Sequence, residues 1–217
     1  MDTSTPPQKV ADKTRRKIVK AAEKLFAEKG FRAMTLRDVT KAAHVNLAAV
    51  NYHFGSKTNL MRAVIEHRIE PINSARLEHL DALIARHAPS PVPLEQIFEA
   101  FFRPMFEHTT SNKGNDLVFM QMVGRALTEP ADFMRALHKE FFAELSRRFL
   151  AELRRACPEL SSQQLELRFF LSVSTMLGTI SDQVLLESIS DGKLNSQNLD
   201  TICDELTAFA VAGFQQA

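Results

Sequence analysis

Apolar residues recur along this chain at spacings of three and four, and nowhere do they alternate with polar ones over the length of a strand. That periodicity predicts an all-α fold of about nine helices. No repeat of 20 to 50 residues is apparent, so a solenoid is not expected. Ile18, Val19, Ala22, Leu25 and Phe26 form one stripe over residues 14 to 30; Gly30 stops it, and Phe31 folds back on the core. Leu36, Val39, Ala42 and Ala43 share a face of a second helix of about two turns, and Val50 and Phe54 point inward from a third. A fourth helix carries Leu60, Met61, Val64 and Ile65, is interrupted at Pro71, and resumes with Ile72, Leu77, Leu80, Leu83 and Ile84.

Loops are expected at HAPSPVP, residues 87 to 93, and at TTSNKGN, residues 109 to 115, flanking a helix that Leu94 opens and Pro104 bends. Three helical runs follow: Asp116 to Thr128, Ala131 to Ala156, and Ser161 to about Ser190. Glu129-Pro130 and Cys157-Pro158 separate them, and a last helix runs from about Asn198 to Phe214. The organisation read from this pattern is a flexible tail over 1–12, a small helical domain over 13–60, and a larger one over 61–217.

The stretch TLRDVTKAAHVNLAAVNYHFGSKTNL, Thr35 to Leu60, carries the densest local information. Thr35 and Asp38 have the spacing of a capping box. His44 occupies a turn position that calls for a left-handed backbone, and Asn46 caps the next helix. Gly55 suits a left-handed helix stop, Ser56 caps the helix after it, and the free amides there with Lys57 form an anion site. This is the grammar of a DNA-reading helix-turn-helix.

The helix IVKAAEKLFAEKGF, the segment TLRDVTKAAHV, and YHFGSK followed by LMRAVI resemble, in order and spacing without gaps, the N-terminal DNA-binding domain of the TetR family of bacterial transcriptional regulators. The resemblance covers Lys13 to about Glu66. It implies phosphate contacts from Tyr52, His53 and Lys57, with Thr35, Arg37, Asn46, Leu47, Ala48 and Ala49 at or near the groove and base reading by Arg37. His44 stands where the family often has Gly, and Asn51 where an aromatic residue is common; Asn51 is itself suited to pairing with adenine. Taken singly, Tyr52 is also compatible with packing and His53 with a structural role. The string VNLAAVNYHFGSK further resembles a subset of the family that includes repressors responsive to long-chain fatty acids.

Charge sharpens this picture. Residues 1 to 70 carry 14 Lys and Arg against 7 Asp and Glu, leaving 13 against 19 for the remainder. The basic end is therefore the nucleic-acid end. The opening residues lack the apolar core of a signal peptide, and no run of about 18 apolar residues occurs, so a cytoplasmic protein without a membrane span is expected. Cys157 and Cys203 lie far apart without zinc-like spacing and read as buried hydrophobes; neither metal nor cofactor is expected.

The chain has 16 Phe and 8 Met. Phe98, Phe101, Phe102, Met105, Phe119, Met122, Phe141, Phe169 and Val173 are candidates to line a pocket for a small hydrophobic ligand, a long-chain fatty acid or acyl derivative being one possibility, with Arg125 or else Arg168 orienting it, each of which also reads as a surface or ion-pair arginine. The same residues at helical spacing equally describe a core. Met176, Leu177, Ile180, Leu185, Leu206, Phe209 and Gly213 lie on stripes of the last two helices, for which the resemblance implies a four-helix homodimer interface.

These readings converge on a homodimeric repressor of a pseudo-palindromic operator, its recognition helices entering major grooves about 34 to 36 Å apart and released by a hydrophobic ligand. A ligand-independent DNA-binding protein with an interaction module at its C-terminal end is the alternative. No nucleophile-base pairing, metal spacing or glycine-rich phosphate loop supports an enzyme.

Overall fold

The structure is a computed structural model that describes residues 6–110, 117–126, 129, 131–195 and 198–215. Among them every regular element is a helix: α1 Pro6–Ala33, α2 Leu36–Ala43, α3 Leu47–Phe54, α4 Lys57–His87, α5 Leu94–Thr110, α6 Leu117–Ala126, α7 Ala131–Phe141, α8 Ala143–Ala156, α9 Ser162–Ser181, α10 Gln183–Ile189 and α11 Leu199–Gln215.

Eleven described helices replace the nine expected because two long runs are broken. The 131–156 run divides at Phe142 and the 161–190 run at Asp182, whose side chain accepts the Leu185 amide and starts α10. No proline marks either break, so periodicity alone reads through them. Conversely, Pro71 does not interrupt α4. Pro71 and His67, whose carbonyl loses its partner amide, are both exposed, and water can satisfy that carbonyl. Residues 6–12, expected as tail, belong to α1. The expected loop at 109–115 lies outside the described residues from 111 on, as does Pro130; residues 109 and 110 close α5.

Two hydrophobic clusters organise the molecule. The first gathers Ile18, Phe26, Met34, Val39, Val50 and Phe54 from α1 to α3 with Leu60, Met61 and Val64 of α4. The second gathers Ile72 and Leu80 of the same helix with Phe98, Phe101, Phe102, Phe149, Phe169 and Phe214. Cys157 and Cys203 are buried in it as free thiols, and burial pushes Cys203 up to about 11. At 31 residues α4 is about 46 Å long and runs through both cores.

The two clusters are joined by side chains as well. Met122 of α6 and Leu137 of α7 belong to the first cluster. Phe133 stacks on Phe31, ring centroids 4.2 Å apart. Glu129 accepts the Phe31 amide at 2.7 Å, and Arg125 donates to the Glu28 carbonyl at 2.9 Å. Gly30 makes this approach possible: its φ of +77° breaks α1, and a Cβ there would collide with the Glu129 carboxylate. Beneath, Glu23 pairs with Arg68 of α4, both largely buried, and Arg62 pairs with Glu140.

Among the described residues no single helix is long and apolar enough to cross a membrane; α9 and α10 pass that test only as a pair, bent by 83°.

Two stability measurements follow. Phe102 is fully buried, so Phe102→Ala is expected to cost roughly 3–5 kcal/mol in urea unfolding; a loss below about 1 kcal/mol would contradict a packed second core. Glu129→Ala strands the Phe31 amide, at about 1.5–3 kcal/mol for a bond to a charged group, and hydrogen exchange at Phe31 should accelerate while Ile18 in the first core stays protected. Unchanged exchange at Phe31 would show that the contact does not hold α1.

Candidate nucleic-acid interface

The helix-turn-helix is assembled by local hydrogen bonds that the residue types dictate. Thr35 Oγ1 accepts the Asp38 amide and Asp38 Oδ2 accepts the Thr35 amide, each at 3.1 Å. The backbone and hydroxyl of Thr35, then Lys29 at 3.4 Å, hold the Asp38 carboxyl below the usual carboxylate range. Val39 and Ala43 are buried, whereas Ala42, expected on their face, is exposed. Consecutive residues of a helix diverge by about 100°, enough to carry Ala42 off the inner stripe.

His44 takes the expected left-handed conformation, φ 54° and ψ 48°. Its amide returns to the Lys41 carbonyl, and the Val45 amide to that of Thr40. Asn46 Oδ1 then accepts the Ala49 amide at 2.8 Å and starts α3. Val50 and Phe54 anchor α3 inward, being 1% and 7% exposed. Leu47, Ala48, Asn51 and Tyr52 are exposed, Tyr52 at 82%, while Ala49 and His53 are half-buried. Gly55 has a φ of +70°, and Ser56 Oγ caps α4 through the Asn59 amide.

This brings the outer surface of α3 together with Thr35 and Arg37, both exposed at the start of α2. Lys57 is different: its ammonium donates to the Arg32 carbonyl at 3.3 Å and lies 4.6 Å from the Phe31 ring centroid. It is engaged with the end of α1. The structure adds a cleft of about 540 Å³ between α1 and the end of α2, lined by Lys17, Lys20, Lys24, Glu28 and His44. The lysines recur at i, i+3 and i+7, a cationic stripe legible in the sequence.

The pocket candidates divide. Phe98, Phe101, Phe102, Met105, Phe119 and Phe169 are at most 6% exposed in the second core, with Val173 packed at its edge. Phe101 meets Phe149 and Phe169 edge to face at 5.0 and 5.2 Å, so these rings already contact one another. Met122 and Phe141 pack instead into the first cluster. Arg125, expected to orient a ligand, faces α1 through the Glu28 carbonyl.

The arginine inside the second core is Arg76, 2% exposed, which sequence reasoning missed. The signal was present: Arg76 lies four residues from both Ile72 and Leu80, in the middle of the buried stripe of α4.

The interface candidates also divide. Met176, Ile180 and Leu206 are buried within this chain and Leu177 is half-buried, whereas Leu185, Phe209 and Gly213 are exposed. α9 is apolar on two faces: Leu165, Phe169, Met176 and Ile180 face the core, leaving Leu167, Phe170 and Leu171 at 53–62% exposure. Spacing cannot tell a core stripe from a partner stripe on such a helix.

Comparison with known proteins matches this geometry. Residues 18–64 match the family model of bacterial regulatory proteins, tetR family, and residues 99–213 that of the tetracyclin repressor-like C-terminal domain. The transcriptional repressor NicS of Pseudomonas putida is 38% identical over 65 residues, 30% of this chain and 31% of NicS. The probable transcriptional regulator YttP of Bacillus subtilis is 31% identical over 86 residues, 40% of this chain and 41% of YttP. Both matches therefore span less than half of either protein. Among solved structures, the TetR family regulator PfmR from Thermus thermophilus aligns over 92% of this chain and 99% of its own, with a TM-score of 0.58 at 19% identity. The fatty acid degradation regulator FadR from Bacillus halodurans aligns over 100% of both chains at 0.59 and 13%. With its N-terminal helix-turn-helix and its C-terminal helical domain each matched, the chain belongs to the TetR family of bacterial transcriptional regulators.

Proposed function

We propose that the chain is a homodimeric repressor that binds a pseudo-palindromic operator and is released by a small hydrophobic effector. The observation that carries the DNA-binding half is the α2–α3 unit. Its inner faces are buried and capped, while Arg37, Leu47, Ala48, Asn51 and Tyr52 are left to solvent. Small residues on α3 allow the backbone close to the groove; Arg37 and Asn51 are suited to base edges, and Tyr52 and His53 to phosphates. The cationic cleft of Lys17, Lys20 and Lys24 adds a sequence-independent attraction. Lys57 reaches a phosphate by exchanging the Arg32 carbonyl for it.

Dimerisation is supported by the exposed apolar side chains of α9 to α11, Leu167, Phe170, Leu171, Val184, Leu185 and Phe209. A two-fold pair presents two recognition helices to half-sites about one helical turn apart. A hydrophobic effector is supported by the apolar second core and by the name of the Bacillus halodurans neighbour. The mutual ring packing around Phe101 favours a second reading, a ligand-independent DNA-binding protein whose C-terminal domain binds other proteins. Insensitivity of operator binding to every hydrophobic compound would select it.

The deciding experiment is fluorescence anisotropy of the DNA upstream of this protein's own gene, titrated at several salt concentrations with and without long-chain acyl compounds. Tight, salt-sensitive, sequence-selective binding is expected, and weak binding equal on all DNA would sink the proposal. In the same assay Arg37→Ala should cost about 1–3 kcal/mol and relax selectivity at one base pair, whereas Tyr52→Phe should weaken all sequences alike. A variant that affects neither places α2 and α3 away from DNA. Phe209→Glu should convert the dimer to monomer in sedimentation velocity and abolish operator binding together; a dimer that survives it, and Phe170→Glu as well, does not use this face.

A further inference from the structure

We infer that Arg76 is the anion-recognition residue of the effector site, its guanidinium receiving the carboxylate of a ligand whose body is apolar. The inference rests on the proposed effector and narrows it to free acids, excluding neutral esters and alcohols as the preferred class.

The argument begins with how this chain treats its other shielded arginines. Arg68 faces Glu23 at 2.6 Å and Arg103 faces Asp204 at 2.6 Å, while the half-buried Arg168 donates to the Phe214 carbonyl at 3.2 Å. Arg76 is more deeply buried than any of them, yet among the described residues no carboxylate pairs with it. Burial pushes its guanidinium down to about 9 with no charged group opposing, so the side chain is still a cation at pH 7.

Its neighbours are neutral and too few. Nε donates to the Phe101 carbonyl at 2.7 Å, Nη1 to Asn73 Oδ1 at 3.3 Å, and Nη2 lies 3.6 Å from the Met176 sulfur. A guanidinium carries five N–H groups, and a thioether is a weak acceptor. The two terminal nitrogens thus hold four N–H groups against one long amide bond and one sulfur contact. A buried cation with unmet donors is costly unless an anion joins it.

The shape of the deficit identifies the ligand. Paired terminal N–H groups in one plane match a carboxylate bidentately. The surroundings are Phe101, whose ring centroid lies 4.2 Å from the guanidinium carbon, and Met176, with Phe149 and Phe169 behind Phe101. These side chains are all apolar, so a ligand body that parts them meets no second charge.

The position also suits a signal. Asn73, which shares Arg76 Nη1, donates its own amide to the Phe141 carbonyl at the end of α7. α7 carries Phe133, which stacks on Phe31 of α1. A carboxylate that draws Nη1 from Asn73 acts on the chain of contacts leading to the DNA-binding helices.

The test is calorimetric titration of the full chain at pH 7 with dodecanoate and with methyl dodecanoate, on the natural protein and on Arg76→Met and Arg76→Lys. The acid is expected to bind about tenfold or more tightly than the ester to the natural protein. Arg76→Met should equalise the two, and Arg76→Lys should restore part of the difference. In case the variants fail to fold, the Arg76 Nε–H resonance of the natural protein should shift with the acid and stay in place with the ester. Equal binding of acid and ester, an acid preference that survives Arg76→Met, an unmoved Nε–H resonance, or no binding of dodecanoate would each overturn the assignment. Anisotropy on operator DNA separates this inference from its parent. Release by a neutral compound with Arg76 untouched keeps the effector and discards the arginine; acid bound at Arg76 without release does the reverse.

Discussion

A single helix has to serve two hydrophobic cores at once, and most of the architecture follows from that. Leu60, Met61 and Val64 near the start of α4 complete the core under the helix-turn-helix, and Ile72 and Leu80 enter the core of the larger domain. Because an α-helix transmits rotation and translation along its length with little give, neither core can reorient α4 without the other registering it. Pro71 would be the place for this coupling to fail. Its position on the exposed side keeps the inner stripe of Ile69, Ile72, Arg76 and Leu80 in register.

The second link between the domains is different in kind. α4 is continuous backbone, but the end of α1 is held by a handful of separable contacts: the Glu129 carboxylate on the Phe31 amide, Arg125 on the Glu28 carbonyl, and Phe133 stacked on Phe31. Gly30 is what lets them form, since the break it introduces frees the Phe31 amide from the helix ladder and its missing side chain leaves room for the carboxylate. One stiff connection and one reversible one is the arrangement a two-state switch needs.

The parts legible in the sequence were those governed by neighbours. Thr35 with Asp38, His44, Asn46 and Ser56 all act within four residues of their own position, and each takes the conformation its chemistry calls for; Gly55 takes the positive φ but, with ψ −39°, not the left-handed helical conformation expected of it. What sequence could not show was which of two apolar faces meets which neighbour. Met176 and Ile180 serve the chain's own core while Leu167, Phe170 and Leu171 on the same helix face outward, and both sets recur at helical spacings of three or four. The arginine was misplaced for a related reason. Arg125 stands among apolar letters and so reads as a candidate to orient a ligand, yet α6 turns it toward the carbonyl of Glu28. Arg76 is flanked by Ala75 and Leu77, and its burial is visible only at a spacing of four, from Ile72 and Leu80.

The energetics of these parts are mutually consistent. A ligand shifts a two-state equilibrium only by the difference in its affinity for the two states, and about 1.4 kcal/mol of difference changes the ratio tenfold. A hydrogen bond to a charged group contributes about 1.5–3 kcal/mol, which is the scale of the Glu129 contact that fastens α1. It is also the scale of what a carboxylate gains on meeting a buried guanidinium that has only neutral partners. An effector that satisfies Arg76 in one state and not the other therefore carries enough free energy to trade against the fastening of α1. A ligand body that enters beside Arg76 also has to part rings of the second core that already touch one another, so its own apolar contacts must replace theirs. On the proposed reading the DNA-binding helices stay folded in both states, and the ligand acts on the orientation in which α4 presents them.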